Sequence, residues 1–125
     1  MNVIDSSGWV EYFVNGPNAR FFAAPIEDRE NLIVPTVCIY EVFKRVLSEF
    51  DEDRALETAG EMLTGIVVEL DRNIAIHAAQ ASIRFKLAMA DSIIIATAYT
   101  YDATLWTQDQ HFKDIEGVKF IRKKE

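Results

Sequence analysis

Apolar residues fall along the chain in two kinds of block, and block length separates strand from helix. Short β-branched or large apolar runs, Asn2 to Asp5 (NVID), Leu32-Ile33-Val34 and Gly65 to Leu70 (GIVVEL), have the size and composition of strands. Between them the spacing turns helical. Trp9, Tyr12 and Phe13 recur at i, i+3, i+4 behind Ser6-Ser7-Gly8, which can cap a helix, and Asn15-Gly16-Pro17 stops it. A second helical stretch carries Phe21 and Phe22 toward Glu27-Asp28-Arg29-Glu30. After Pro35-Thr36 the stripe Val37, Tyr40, Phe43, Val46, Leu47, Phe50 predicts a helix, and Leu56, Met62 and Leu63 predict its hairpin partner.

Asp71 is placed to cap a helix over 72–87, and Ile93 to Tyr101 is helical again, with Asp91 at its opening. Ala103 to Thr107 and Val118 to Ile121 read as strands joined by a short helical turn. Strands alternating with helices through short connections predict an α/β fold: one domain over residues 1–125, with about five parallel strands and helices on both faces.

Composition narrows the class. With 125 residues, half of them hydrophobic and 26% charged, the chain can bury one ordinary core. A single cysteine, Cys38, excludes an internal disulfide framework, and two histidines make a Cys/His zinc site a poor expectation. The opening MNVIDSSGWV lacks a basic flank before an apolar core, and no apolar run has spanning length, so a cytoplasmic protein with no membrane partner is expected. The net charge of -7 repels nucleic acid at long range and suits a basic partner. Contact with nucleic acid then needs local basic groups or bridging cations.

In a parallel sheet every strand delivers the chain to one edge, where ligand sites collect. Asp5 closes the first strand there. Glu41 lies five residues past Thr36, on the helix leaving the second strand; Asp91 opens a helix that leads into the fourth strand; Asp109 follows Thr107 at that strand's end. Each has a bland reading: turn former for Asp5, i+3 or i+4 partner of Lys44 or Arg45 for Glu41, helix cap for Asp91 and for the turn at His111-Phe112 for Asp109. The bland readings do not require convergence. Two carboxylates about 4 Å apart repel by roughly 4 kcal/mol at an effective dielectric near 20, and a divalent cation removes that penalty. Oxygen donors with few imidazoles or thiolates favour Mg²⁺ or Mn²⁺ over zinc.

Four segments together, VIDSS, TVCIYEVF, LAMADSIIIATA and TQDQHF, resemble the PIN-domain ribonucleases, specifically the VapC-type toxins of toxin–antitoxin pairs, over essentially the whole chain. The resemblance implies metal-dependent hydrolysis of RNA phosphodiester bonds. It matches Asp5, Glu41, Asp91 and Asp109 to the acidic catalytic and metal-binding quartet, with Ser6 and Thr107 as polar neighbours. It further implies a homodimer and an antitoxin that covers the site. Two departures stand out: Ala88-Met89 where many relatives have proline, and Gln110-His111 where relatives often carry a second acid. His111 is then either a turn residue or a participant as ligand or proton shuttle. His77, Cys38 and the Trp9, Tyr12, Phe13 cluster are expected to be structural. A non-catalytic binding module on the same fold is the alternative. A phosphoacceptor signalling domain fits less well, since it pairs adjacent acids after its first strand, whereas Asp5 is followed by Ser6-Ser7.

Overall fold

The computed structural model describes residues 1–124. Five parallel strands form one sheet: β1 (Asn2–Ile4), β2 (Leu32–Pro35), β3 (Ile66–Val68), β4 (Thr104–Thr107) and β5 (Val118–Phe120), in the order β3-β2-β1-β4-β5. Six helices connect them: α1 (Ser6–Phe13), α2 (Ala19–Glu27), α3 (Thr36–Glu49), α4 (Glu52–Met62), α5 (Arg72–Phe85) and α6 (Met89–Thr100). The chain winds from β1 outward to β3, then returns past β1 to lay down β4 and β5. The strand order therefore reverses between β1 and β4, the place where doubly wound sheets open a crevice.

All four residues of β2 are buried, as expected of a central strand covered on both faces. Val3, Ile4, Leu32, Ile33, Val34 and Leu105 have no solvent exposure, and Trp9, Phe22 and Phe112 fill the space over them. α6 is buried continuously from Ser92 to Ala98, so its carboxylate at Asp91 rides on an immobilised rod. No helix among the described residues is long and apolar enough to cross a membrane.

Several local expectations need correction. The cap of α1 is Asp5 itself, in extended conformation, with its carboxylate accepting from Gly8 N–H; Ser6-Ser7-Gly8 are already helical. Asp91 is no cap either. α6 begins at Met89 after Ala88, and Asp91 lies inside its first turn, where the free N–H groups and the helix dipole favour an anion. The third strand is trimmed to 66–68 and the helix after Asp71 ends at Phe85, where Lys86 adopts left-handed geometry (φ 57°).

The largest difference lies on α3 and α4. The buried face of α3 runs through Cys38, Val42 and Val46, whereas Tyr40, Leu47 and, just past its end, Phe50 are exposed; on α4, Ala55, Thr58 and Met62 are buried, and Leu56 and the following Leu63 are exposed. Several of the bulkiest apolar residues of this pair are therefore left facing outward. His77 is exposed on α5 rather than part of the core.

Candidate functional site

At the C-terminal edge of β1, the N–H of Asp5 still bonds the carbonyl of Trp106, so the sheet ladder fixes its backbone before the side chain turns into the crevice. Its carboxylate is 2% exposed. Ser7 Oγ donates to both oxygens, at 2.9 and 3.0 Å, and Gly8 N–H donates to Oδ1 at 3.1 Å. Burial nevertheless dominates and pushes the Asp5 carboxyl up to about 7, with the hydrogen bonds and the Thr107 hydroxyl opposing it and the charge of Asp109 adding to it.

Glu41 stands on the second turn of α3 and accepts from Ser6 Oγ at 2.6 Å. The alternative pairing with Lys44 or Arg45 is absent among the described residues: Arg45 bonds Glu49 instead. Asp91 sits half-buried across the crevice. Burial raises its pKa, and the charges of Asp109 and Glu41 raise it further while His111 opposes them.

Thr107, fully buried at the end of β4, accepts the N–H of Asp109 at 2.8 Å, which bends the chain back toward the crevice. Asp109 then caps the 3-10 turn Gln110–Phe112 by accepting His111 N–H at 2.9 Å, as its turn reading anticipated. The same turn brings His111 Nδ1 to 3.3 Å from Asp109 Oδ1 and 3.5 Å from Asp91 Oδ2.

Asp91, Asp109 and His111 thus each offer one donor atom within 4.8 Å of the others. Asp5 and Glu41 lie outside that tight group, engaged by Ser7 and Ser6, yet their charges reach it: Asp109 acts on Asp5, and Glu41 acts on Asp91. No lysine or arginine among the described residues forms an ion pair with any of the four carboxylates. This donor set fits a small divalent cation, which prefers carboxylate oxygens and accepts an imidazole.

Sequence reasoning missed two supports. Ser7 reads in the sequence as part of a cap, although its place two residues after an Asp is a signal for a local side-chain bond. Buried Glu11 accepts Asn18 N–H at 2.7 Å, and Asn18 Nδ2 donates to Gln108 Oε1 at 2.9 Å and to the carbonyl of Arg122 at 3.1 Å. This network ties α1 and the loop before α2 to the exit of β4, next to Asp109. No local pattern announces it, because Asn18 and Gln108 are 90 positions apart.

A family model described as PIN domain matches residues 3–118. No curated protein matches the sequence. Among solved structures, the chain superposes on a toxin–antitoxin complex from Klebsiella pneumoniae with a TM-score of 0.79 and 21% identity, covering 95% of this chain and 96% of that one. DNA-bound VapBC from Salmonella typhimurium gives 0.76 and 16%, covering 97% and 96%. VapC20 from Mycobacterium tuberculosis, a sarcin-ricin loop cleaving toxin, gives 0.70 and 10%, covering 83% and 85%. At these identities the likeness speaks for the fold.

Proposed function

The chain belongs to the PIN-domain family, and we propose that it is a metal-dependent endoribonuclease, the toxin of a toxin–antitoxin pair. The observation that carries this reading is the gathering of Asp5, Glu41, Asp91 and Asp109 about the β1/β4 switch point with no neutralising lysine or arginine among the described residues. A structural cluster would be expected to carry its own counter-charge.

Asp91 and Asp109 would hold Mg²⁺ or Mn²⁺, with Asp5 and Glu41 completing the acidic wall around it. Bound there, the cation supplies Lewis acidity that lowers the pKa of water and offsets phosphate charge. The residues do the rest. Ser7 and the Gly8 N–H fix the Asp5 carboxylate, Ser6 fixes Glu41, and Thr107 sets the bend that aims Asp109. Asp5, held in place in this way, would serve as the acceptor for a proton from attacking water.

Partners follow from the surface. Tyr40, Leu47, Phe50, Leu56 and Leu63 are exposed along α3 and α4, and a groove beside them has an apolar side of Phe13, Val46 and Phe50 and a polar side of Arg54, Glu57 and Glu61. This supports an apolar segment of an antitoxin as its occupant, and the net charge of -7 suits a basic one. An arginine of that partner would pair bidentately with the open carboxylates. Exposed Ile76 and Ile83 on α5 give a separate face for a homodimer.

The test is cleavage of single-stranded RNA by the purified protein, with and without chelator, beside Asp5→Asn and Asp91→Asn. Loss of cleavage in all three is expected; activity that survives both substitutions and chelation would refute the reading. Ends of the cleaved RNAs, sequenced in the same experiment, report the target.

A further inference from the structure

We propose that His111 is itself a ligand of the divalent cation, and that its imidazole gives the site a preference for a first-row transition ion over Mg²⁺. This rests on the metal-dependent reading of the site and assigns a residue that the acidic quartet leaves out. Nδ1 faces two carboxylate oxygens at once, at 3.3 Å from Asp109 and 3.5 Å from Asp91. Both separations exceed those of a charge-assisted N–H···O bond, about 2.7–2.9 Å, so hydrogen bonding alone is a poor description. They suit donors arranged around a common centre: ligands each about 2.1 Å from one ion stand about 3.0 Å apart when at right angles. All three donors lie within 4.8 Å of one another, and rotation of the carboxylates would bring them to one ion.

The imidazole is also held ready. The backbone N–H of His111 bonds Asp109 Oδ1, and the next residue, Phe112, is fully buried and anchors the turn in the core. The ring itself remains 73% exposed, which leaves Nε2 free to carry the proton in the tautomer whose Nδ1 binds metal. An all-oxygen set would suit Mg²⁺, which dehydrates reluctantly and demands hard donors. Replacing one oxygen by an imidazole nitrogen shifts the balance toward transition ions.

Mn²⁺ is the probe, since its electron spin echo reports directly bound nitrogen. Protein loaded with Mn²⁺ is expected to show ¹⁴N modulation, replaced by the ¹⁵N pattern when histidine is ¹⁵N-labelled, and lost in His111→Asp. His77→Gln, which removes the other histidine, should leave the signal unchanged. In His111→Asp the preference for Mn²⁺ over Mg²⁺, measured by calorimetry, should fall at least about tenfold, the loss typical even of a residue that only orients a ligand. Bound Mn²⁺ without histidine modulation in the wild type, or modulation that persists in His111→Asp, overturns the assignment. RNA cleavage is scored in parallel. Histidine modulation without cleavage would leave the ligand standing and remove the nuclease; failure of Mn²⁺ to bind at all would remove both.

Discussion

Ser6 donates its hydroxyl to Glu41 at 2.6 Å, joining the first residue of α1 to the second turn of α3 across the C-terminal edge of the sheet. Glu41 is half-buried and has no cation near it among the described residues, so this bond decides where its carboxylate points. Ser6→Ala is expected to cost only about 0.5–1.5 kcal/mol of stability, because water can replace one neutral donor. Cleavage should fall more, roughly tenfold, as for other residues that orient acidic ligands. Ser6→Thr keeps the hydroxyl and should recover most of the rate. Equal kcat in wild type and Ser6→Ala would mean that Glu41 needs no such orientation.

Asp5 makes stability depend on pH in an unusual direction. Its carboxyl is raised from 3.8 to about 7 in the folded protein, chiefly by burial. Between those values the folded state holds a proton that the unfolded state has released, so stability should fall as pH rises from about 4 to about 7 and level off above. At 1.36 kcal/mol per unit the ceiling is about 4 kcal/mol. Urea denaturation in chelator, taken as the difference between wild type and Asp5→Asn to cancel other carboxylates, should show that decline. A difference that is flat across the window would mean the carboxyl titrates normally. Added Mn²⁺ or Mg²⁺ should offset the loss above pH 7, since cation binding favours the ionised form.

Gly8 is required by close packing. A methyl group at that position would lie 2.6 to 2.7 Å from the Phe22 ring and the Ile4 side chain, both fully buried. Neither can retreat without disturbing α2 or β1. Gly8→Ala should therefore destabilise by about 1–3 kcal/mol despite alanine's higher helix propensity, seen as a lower urea midpoint. Because Gly8 N–H also bonds Asp5, activity should drop with it. Gly60→Ala is the control: nothing lies within 4 Å of its added methyl, and on an exposed helix position it should stabilise by up to about 1 kcal/mol.

The sheet and the four acids were legible because both depend on alternation and topology. Short apolar runs separated by helical spacing place Asp5, Glu41, Asp91 and Asp109 at one edge without any knowledge of side-chain packing. Helix faces were less legible. The stripe through Tyr40, Leu47 and Phe50 has good helical spacing, yet it faces outward, because periodicity identifies an apolar face and not what covers it. The start of α6 was misplaced because Asp91 has the chemistry of a cap, while Ala88, which precedes the helix, offers no side-chain signal. His111 was ambiguous for a similar reason. One residue serves both a turn and a cluster, and only the turn's geometry brings its Nδ1 to two carboxylates.

Gln108 supplies the last test, since it links the fold to the site through one buried amide. It is 6% exposed, sits between Thr107 and Asp109, and accepts from Asn18 at 2.9 Å while its own amide faces Glu11. In Gln108→Ala, Glu11 keeps the Asn18 N–H and Asn18 keeps the Arg122 carbonyl, so the rest of the network survives. What is lost is the anchor at the exit of β4. Stability should fall by about 1–3 kcal/mol, and cleavage by fully folded protein should fall as well, because Asp109 is the next residue. Gln108→Glu sharpens the point. It keeps the size and the acceptor for Asn18 but sets a second carboxylate against buried Glu11, so its stability deficit should grow as pH rises above the carboxylate range. A deficit of equal size at pH 4.5 and pH 8 would show that shape, not the charge of the introduced carboxylate, sets the cost.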